Sequence, residues 1–273
     1  MTIFQAIILG IVQGLTEFLP ISSSAHLVIT PMLFHWQIPE QQAFIFDVLV
    51  QVGTLVAVIV YFWHDLLGIL QAVFQGLVLR KPFASPQARL GWFIVLATIP
   101  AGIFGMLIKD QVEQAFSSPL TAGVFLLVTA VLLTAGERFG KRTRSFEQLN
   151  WFDALWIGFF QAIAIFPGIS RSGSTISGGM LKSFDRPSAA RFSFLMSIPI
   201  MLAAGLLAVA DLTQVSGFAS QVPTLLAGFI TAAVVGYFSI RWLLAYLSHR
   251  SFYIFVVYCV IAGILTILLS FLL

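Results

Sequence analysis

The chain has 273 residues, 59% of them hydrophobic and only 9% charged, with a formal net charge of +3 and a mean hydropathy of +0.99. Soluble domains carry roughly 25% charged residues, so most of this surface does not face water and a soluble globular protein is excluded. The small positive charge reads as loop bias rather than a nucleic-acid footprint, and the single cysteine, Cys259, excludes an internal disulfide and reads as a packing residue.

A helix needs about 20 apolar residues to cross the hydrocarbon layer. The apolar runs here are long and continuous, unlike the short alternating segments of a barrel. The predicted class is an all-α integral membrane protein forming a single membrane domain, 1–273. The first segment, Ile3–Phe34, is apolar but broken at "LPISSS". It holds Glu17 and Pro20 and lacks a basic leader, so it does not read as a cleavable signal. Spans are then predicted at Phe46–Leu70, Leu90–Ile108 and Leu120–Ala135. A second broken segment, Phe152–Leu181, splits at "FPGISRSGS", and three more spans follow at Phe192–Ala210, Leu225–Leu247 and Phe252–Leu273. The pieces of each broken segment are too short to span and suit re-entrant hairpins.

Basic residues gather in alternate connections: Arg80, Lys81 and Arg89; Arg138, Lys141, Arg142 and Arg144; Lys182, Arg186 and Arg191; Arg241 and Arg250. The other connections hold Lys109 with Asp110 and Glu113, or Asp211 alone. Placing the basic loops inside gives six crossings with both termini outside. The first broken segment then enters from outside and the second from inside.

The broken segments also match each other. At the offset of 148 that separates Gly10 from Gly158, Gln13 pairs with Gln161, Phe18 with Phe166, Ile21 with Ile169, Ser22 with Ser170 and Ser24 with Ser172. A broken helix and three spans make one unit, and an odd number of crossings inverts the next. The expected architecture is an inverted-topology repeat, 1–145 and 146–273, with the breaks meeting near the midplane.

The first break reads "QGLTEFLPISSSAH" and the second "FPGISRSGSTISGG". Each places serines ahead of a helix N-terminus, where hydroxyls and free N–H groups suit an anion. Arg171 adds a planar fork matched to phosphate. Joined, the tips would bring Glu17, Ser23, His26 and Arg171 together with phosphate-binding groups at Ser22, Ser24, Ser170, Ser172, Gly173, Ser174 and Thr175. Blander readings apply to several of these. Ser22 and Ser24 are good N-caps, and Arg171 is a natural counter-ion for Glu17. A carboxylate inside an apolar half-helix is costly unless paired or wet, which favours function for Glu17. Asp47 and Gln51, four residues apart, either line the same cavity or face water at its rim. His64 and Asp65 read as interfacial, as do most tryptophans.

The two motifs together closely resemble those of the BacA-type undecaprenyl-diphosphate phosphatases, and the likeness extends over nearly the whole chain. It implies a bacterial enzyme that removes one phosphate from a C55 isoprenoid diphosphate at the outer side of the cytoplasmic membrane. The product is the lipid carrier for cell-wall building blocks. The resemblance implies catalytic roles for Glu17, Ser23, His26 and Arg171, and help from a divalent cation, Mg²⁺ or Ca²⁺. It also admits a homodimer. Several members carry a second Glu where this chain has Gln13, which removes a metal ligand or base. Three chemistries stay open: Ser23 attacks with His26 as base, His26 attacks directly, or His26 activates water. Glu17 either orients His26 or holds the cation. The competing function is a transporter or flippase of an anionic polyprenyl lipid, because broken helices in inverted repeats are also a transporter architecture.

Overall fold

The computed structural model describes residues 1–108, 118–212 and 218–271, without the side chains of 40, 41, 207–212 and 218–220. The described residues form eleven α-helices and one 3₁₀ turn: α1 Ile3–Thr16, α2 Ser23–Leu33, α3 Glu40–Tyr61, α4 Trp63–Val78, α5 Pro86–Leu107, α6 Pro119–Phe139, the 3₁₀ turn Phe146–Gln148, α7 Trp151–Ile163, α8 Arg171–Leu181, α9 Arg186–Leu212, α10 Phe218–Leu247 and α11 Tyr253–Ser270. Six of them, α3, α5, α6, α9, α10 and α11, are long and apolar enough to cross a membrane. The chain is an all-α integral membrane protein.

The predicted span Phe46–Leu70 is corrected. The helix begins earlier, at Glu40, and ends at Tyr61. Phe62 leaves helical geometry (φ −99°, ψ 22°) and a separate helix, α4, follows. Hydropathy does not register this break, because Tyr61, Phe62 and Trp63 continue the apolar run. The fourth span likewise starts at Arg186 rather than Phe192. The connection holding Lys109, Asp110 and Glu113 lies outside the described residues, as do the side chain of Asp211 and the last two residues of the predicted final span.

The two broken segments fold as helical hairpins that open toward opposite ends of the bundle. At one end, the Met1 amino group donates to Gln42 at the start of α3 (2.9 Å), and Met1, Trp36 and Ile38 pack against one small core with Phe46 and Leu225. Hairpin α1–α2 therefore starts and finishes there. At the other end, Arg144 bridges Asp153 in the first turn of α7 (2.5 Å) and the Lys182 carbonyl after α8 (3.1 Å), so hairpin α7–α8 starts and finishes at that end. The same end gathers three more ion pairs. Buried Glu137 at the close of α6 accepts from Arg142 and Arg186 and from the backbone N–H of Phe252. Arg191 of α9 reaches Asp65 of α4 (2.7 Å). Arg142, Arg144, Arg186 and Arg191 of the predicted basic face are thus bound to carboxylates, and Asp153 holds the Arg144 guanidinium above its ordinary pKa.

Two helix pairings recur on exchanging the halves: α1 packs on α10 as α7 packs on α5, and α3 on α10 as α9 on α5. Small residues permit these close approaches, as is usual between membrane helices. A Cβ on Gly10 would lie 2.7 Å from the Gly228 carbonyl oxygen, and one on Gly158 would lie 2.5 Å from that of Ala97. The two glycines that anchor the sequence match therefore do the same work in their own hairpins.

Candidate active site

The hairpin tips meet. Ser22 caps α2 from the left-handed region (φ 67°), and its hydroxyl lies 3.2 Å from that of Ser24. Ser170 caps α8, and its hydroxyl lies 3.1 Å from that of Ser172. The tips then bond across: the Gly168 N–H donates to Ser24 Oγ (3.3 Å), and Ser172 Oγ donates to the Leu19 carbonyl (3.2 Å). Gly168 is required for its shape, since it holds φ +100° and a Cβ there would lie 2.6 Å from the Ala122 carbonyl oxygen. Thr129 of α6 fastens the second tip by donating to the Gly168 carbonyl (3.0 Å) and accepting from the Ser170 N–H (2.9 Å).

Glu17 is the hub of the site. Its Oε1 accepts from Arg171 Nη2 (2.5 Å), and its Oε2 accepts from Ser23 Oγ (2.6 Å) and Gln13 Nε2 (3.0 Å). Gln13 also donates to Thr54 of α3 (3.4 Å). Glu17 is only 7% exposed, and its charge is tolerated at that depth because a guanidinium, a hydroxyl and an amide share it. Arg171 Nη1 has no partner among the described residues, which leaves one face of the fork free for an anion.

A cavity of ≈ 340 Å³ opens beside this hub. One wall is polar, formed by Glu17, Ser22, Ser23, Ser24, Gln51, Gln161, Ser170 and Arg171. The rest of the lining is apolar, from Ala101, Ala164, Ile165, Ile169, Ile200, Met201 and Ala204, with Met201 Sδ 3.5 Å from Arg171 Nη2. This division suits a ligand with a charged head and a hydrocarbon tail.

Other predicted residues stand elsewhere. His26 is not in the cavity lining. Its Nδ1 lies 2.7 Å from the Ser22 carbonyl and its Nε2 2.6 Å from the Tyr258 hydroxyl of α11. The carbonyl can only accept, so Nδ1 carries the hydrogen and Nε2 accepts from tyrosine. One expected chemistry gave Ser23 the imidazole of His26 as its base; in the structure the Ser23 hydroxyl donates to Glu17, and the imidazole is turned toward α11. Ser174 donates to the Phe160 carbonyl (2.6 Å), and Thr175 donates to the Arg171 carbonyl (2.8 Å) and meets Ser193 (2.6 Å). These two, with Ser172 and Gly173, tie the second tip together and lie outside the cavity lining. Of the α3 pair, Gln51 lines the cavity and Asp47 does not.

Residues not singled out from sequence also shape the site. Thr54, Thr129 and Tyr258 contact it from 41, 41 and 232 residues away along the chain. Only Gln161 carried a signal, as the repeat partner of Gln13. Cys259 is buried with Sγ 3.6 Å from the Pro20 carbonyl, in keeping with a packing role under the first tip.

Fold and site together define a membrane protein whose paired broken helices present a carboxylate, a serine and an arginine to a cavity lined by both polar and apolar residues. The chain belongs to the family described as Bacitracin resistance protein BacA, which it matches over residues 6–265. It is similar to undecaprenyl-diphosphatases from Chlorobium phaeovibrioides (45% identical, over 98% of this chain and 97% of the relative) and Methanosphaera stadtmanae (42%, over 98% of each). The undecaprenyl-diphosphatase of Moorella thermoacetica is 43% identical over 98% of this chain and 97% of its own.

Proposed function

We propose that the chain hydrolyses the terminal phosphate of undecaprenyl diphosphate, yielding undecaprenyl phosphate and inorganic phosphate and so recycling the lipid carrier of cell-wall synthesis. The observation that carries this reading is the 2.6 Å hydrogen bond from Ser23 Oγ to Glu17 at the cavity wall, beside the free edge of Arg171. A carrier of anionic lipid needs the arginine and the helix termini but has no use for a hydroxyl held on a base.

The diphosphate head would sit on the polar wall, with its oxygens on Arg171 Nη1 and on the N–H groups and hydroxyls that open α2 and α8. Ser23 Oγ attacks the terminal phosphorus as its proton passes to Glu17 Oε2, and undecaprenyl phosphate leaves. Arg171 stays on Glu17 through Nη2 and stabilises charge on the phosphoryl oxygens through Nη1. His26 acts here as a positioning residue, holding the Ser22 turn through Nδ1. A cavity of ≈ 340 Å³ takes the head group and the start of the tail; the rest of the C55 chain extends into lipid along the apolar lining.

Among the described residues no group of three or more His, Cys, Asp or Glu forms a metal cage. The donors fit a Mg²⁺ or Ca²⁺ that arrives on the phosphates, as Mg²⁺ commonly does: Glu17 would hold it with Gln13 Oε1, which has no partner. The ion would neutralise phosphate charge. Gln13 supplies a neutral oxygen there.

The two hairpins opening at opposite ends and the exchange symmetry of packing support an inverted-topology repeat of 1–145 and 146–273, with both hairpins re-entrant. The basic loops support a cytoplasmic membrane orientation with the Ser23 tip open to the outer side. All of the site groups come from one chain, so a homodimer would carry two complete sites. The direct test is phosphate release from a C55 diphosphate by purified protein in detergent, where transport has no meaning. Release abolished in Ser23→Ala and Glu17→Gln supports the proposal; absence of release by the unaltered protein refutes it.

A further inference from the structure

Five buried side-chain nitrogen or oxygen atoms among the described residues have no hydrogen-bond partner, and two of them belong to residues that line the cavity: Arg171 Nη1 and Gln161 Oε1. The arginine atom is a donor and suits a phosphate oxygen. The glutamine atom is an acceptor, and a phosphate dianion has nothing to give it. Gln161 ends α7, immediately before the break, and is only 3% exposed. Its orientation is fixed, because Nε2 donates to the Ala97 carbonyl (3.4 Å) and a flipped amide would set oxygen against oxygen. A buried amide oxygen without a donor forfeits its hydration. Gln161 lines the cavity, and the smallest donor that the cavity offers is water.

We propose that Gln161 holds the water that completes the reaction, a reading that rests on the Ser23 mechanism above. In the second half-reaction this water attacks the phosphorus of phosphoserine 23. The new P–O bond forms as the bond to Ser23 Oγ breaks. One water proton passes to a phosphate oxygen, and Ser23 Oγ regains its proton from Glu17, leaving the enzyme as it began and releasing inorganic phosphate. Gln161 accepts the other hydrogen of the water and aims its lone pair. A neutral amide does this without adding negative charge beside the phosphates, as a carboxylate there would. The side chains are divided between the hairpins: nucleophile and base on the first, water holder and arginine on the second.

The test is rapid-quench kinetics with C55 diphosphate in detergent, comparing the unaltered protein with Gln161→Met and Gln161→Leu. Both variants remove the acceptor, and methionine keeps the length if leucine fails to fold. The proposal expects a first turnover near the normal rate, phosphate accumulating on Ser23, and a steady-state kcat lower by on the order of 100-fold with KM falling in parallel. If the first turnover slows as much as the steady state and no phosphoserine accumulates, the water assignment is wrong while the phosphatase reading stands. An unchanged steady state has the same meaning. If the unaltered protein releases no phosphate, the underlying reading fails as well.

Discussion

Glu17 would be untenable in an apolar half-helix if its two oxygens were not shared among Arg171, Ser23 and Gln13. That sharing sets the behaviour of its neighbours. Arg171 holds the carboxylate with Nη2 and keeps Nη1 free, a division that needs a planar fork. Arg171→Lys keeps the charge but supplies a single point donor. We predict that it folds and loses about 3–4 kcal/mol of transition-state stabilisation, at least a hundredfold in rate. Near-normal turnover of that variant in detergent would remove Arg171 from the site. Charged and hydroxyl groups such as Glu17, Ser23 and Arg171 were legible in the sequence because charge is expensive in an apolar run. Tyr258 and Thr54 were not. They contact the motif through helices distant in sequence, and nothing in their own surroundings marks them. His26 was legible as a polar residue, but its direction was not, since that depends on Tyr258.

At the scale of the element, glycines let each hairpin settle against a span, Gly10 and Gly14 against α10 and Gly158 against α5. Gly158 lets α7 settle on the Ala97 backbone. Gly158→Val would force these helices apart, costing on the order of 1–3 kcal/mol and moving Gln161, three residues on. Gly68 of α4 has nothing within 4 Å of an added Cβ, so Gly68→Ala should stabilise by roughly 0.5–1 kcal/mol through helix propensity. Thermal unfolding in detergent checks both; equal melting temperatures for the two variants would discount the packing account. The broken helices were readable because proline, glycine and serine clusters interrupt them. The boundary at Phe62 was not, because composition is continuous there and only the backbone dihedrals change.

For the whole molecule, the site exists only because two hairpins from opposite ends of the bundle meet. The charge pattern and the match at an offset of 148 residues pointed to that meeting, yet neither fixes which side chains touch. The arrangement makes a topological prediction. In a Cys259→Ala background, Lys141→Cys should resist an impermeant thiol reagent added outside intact cells, whereas Phe34→Cys, at the opening of the first hairpin, should react. Reaction of position 141 from outside would reverse the orientation.

The central claim is that Glu17 and Ser23 act as one unit. The most direct measurement is a double-mutant cycle of kcat/KM for C55 diphosphate hydrolysis in detergent, using Glu17→Gln, Ser23→Ala and both together. Groups that act together lose little more when both are removed than when one is. The account predicts that each single variant and the double variant are inactive to a similar degree, each at least a hundredfold below the unaltered protein. Losses that multiply, or a Ser23→Ala protein that still turns over at a substantial fraction of the normal rate, would contradict it.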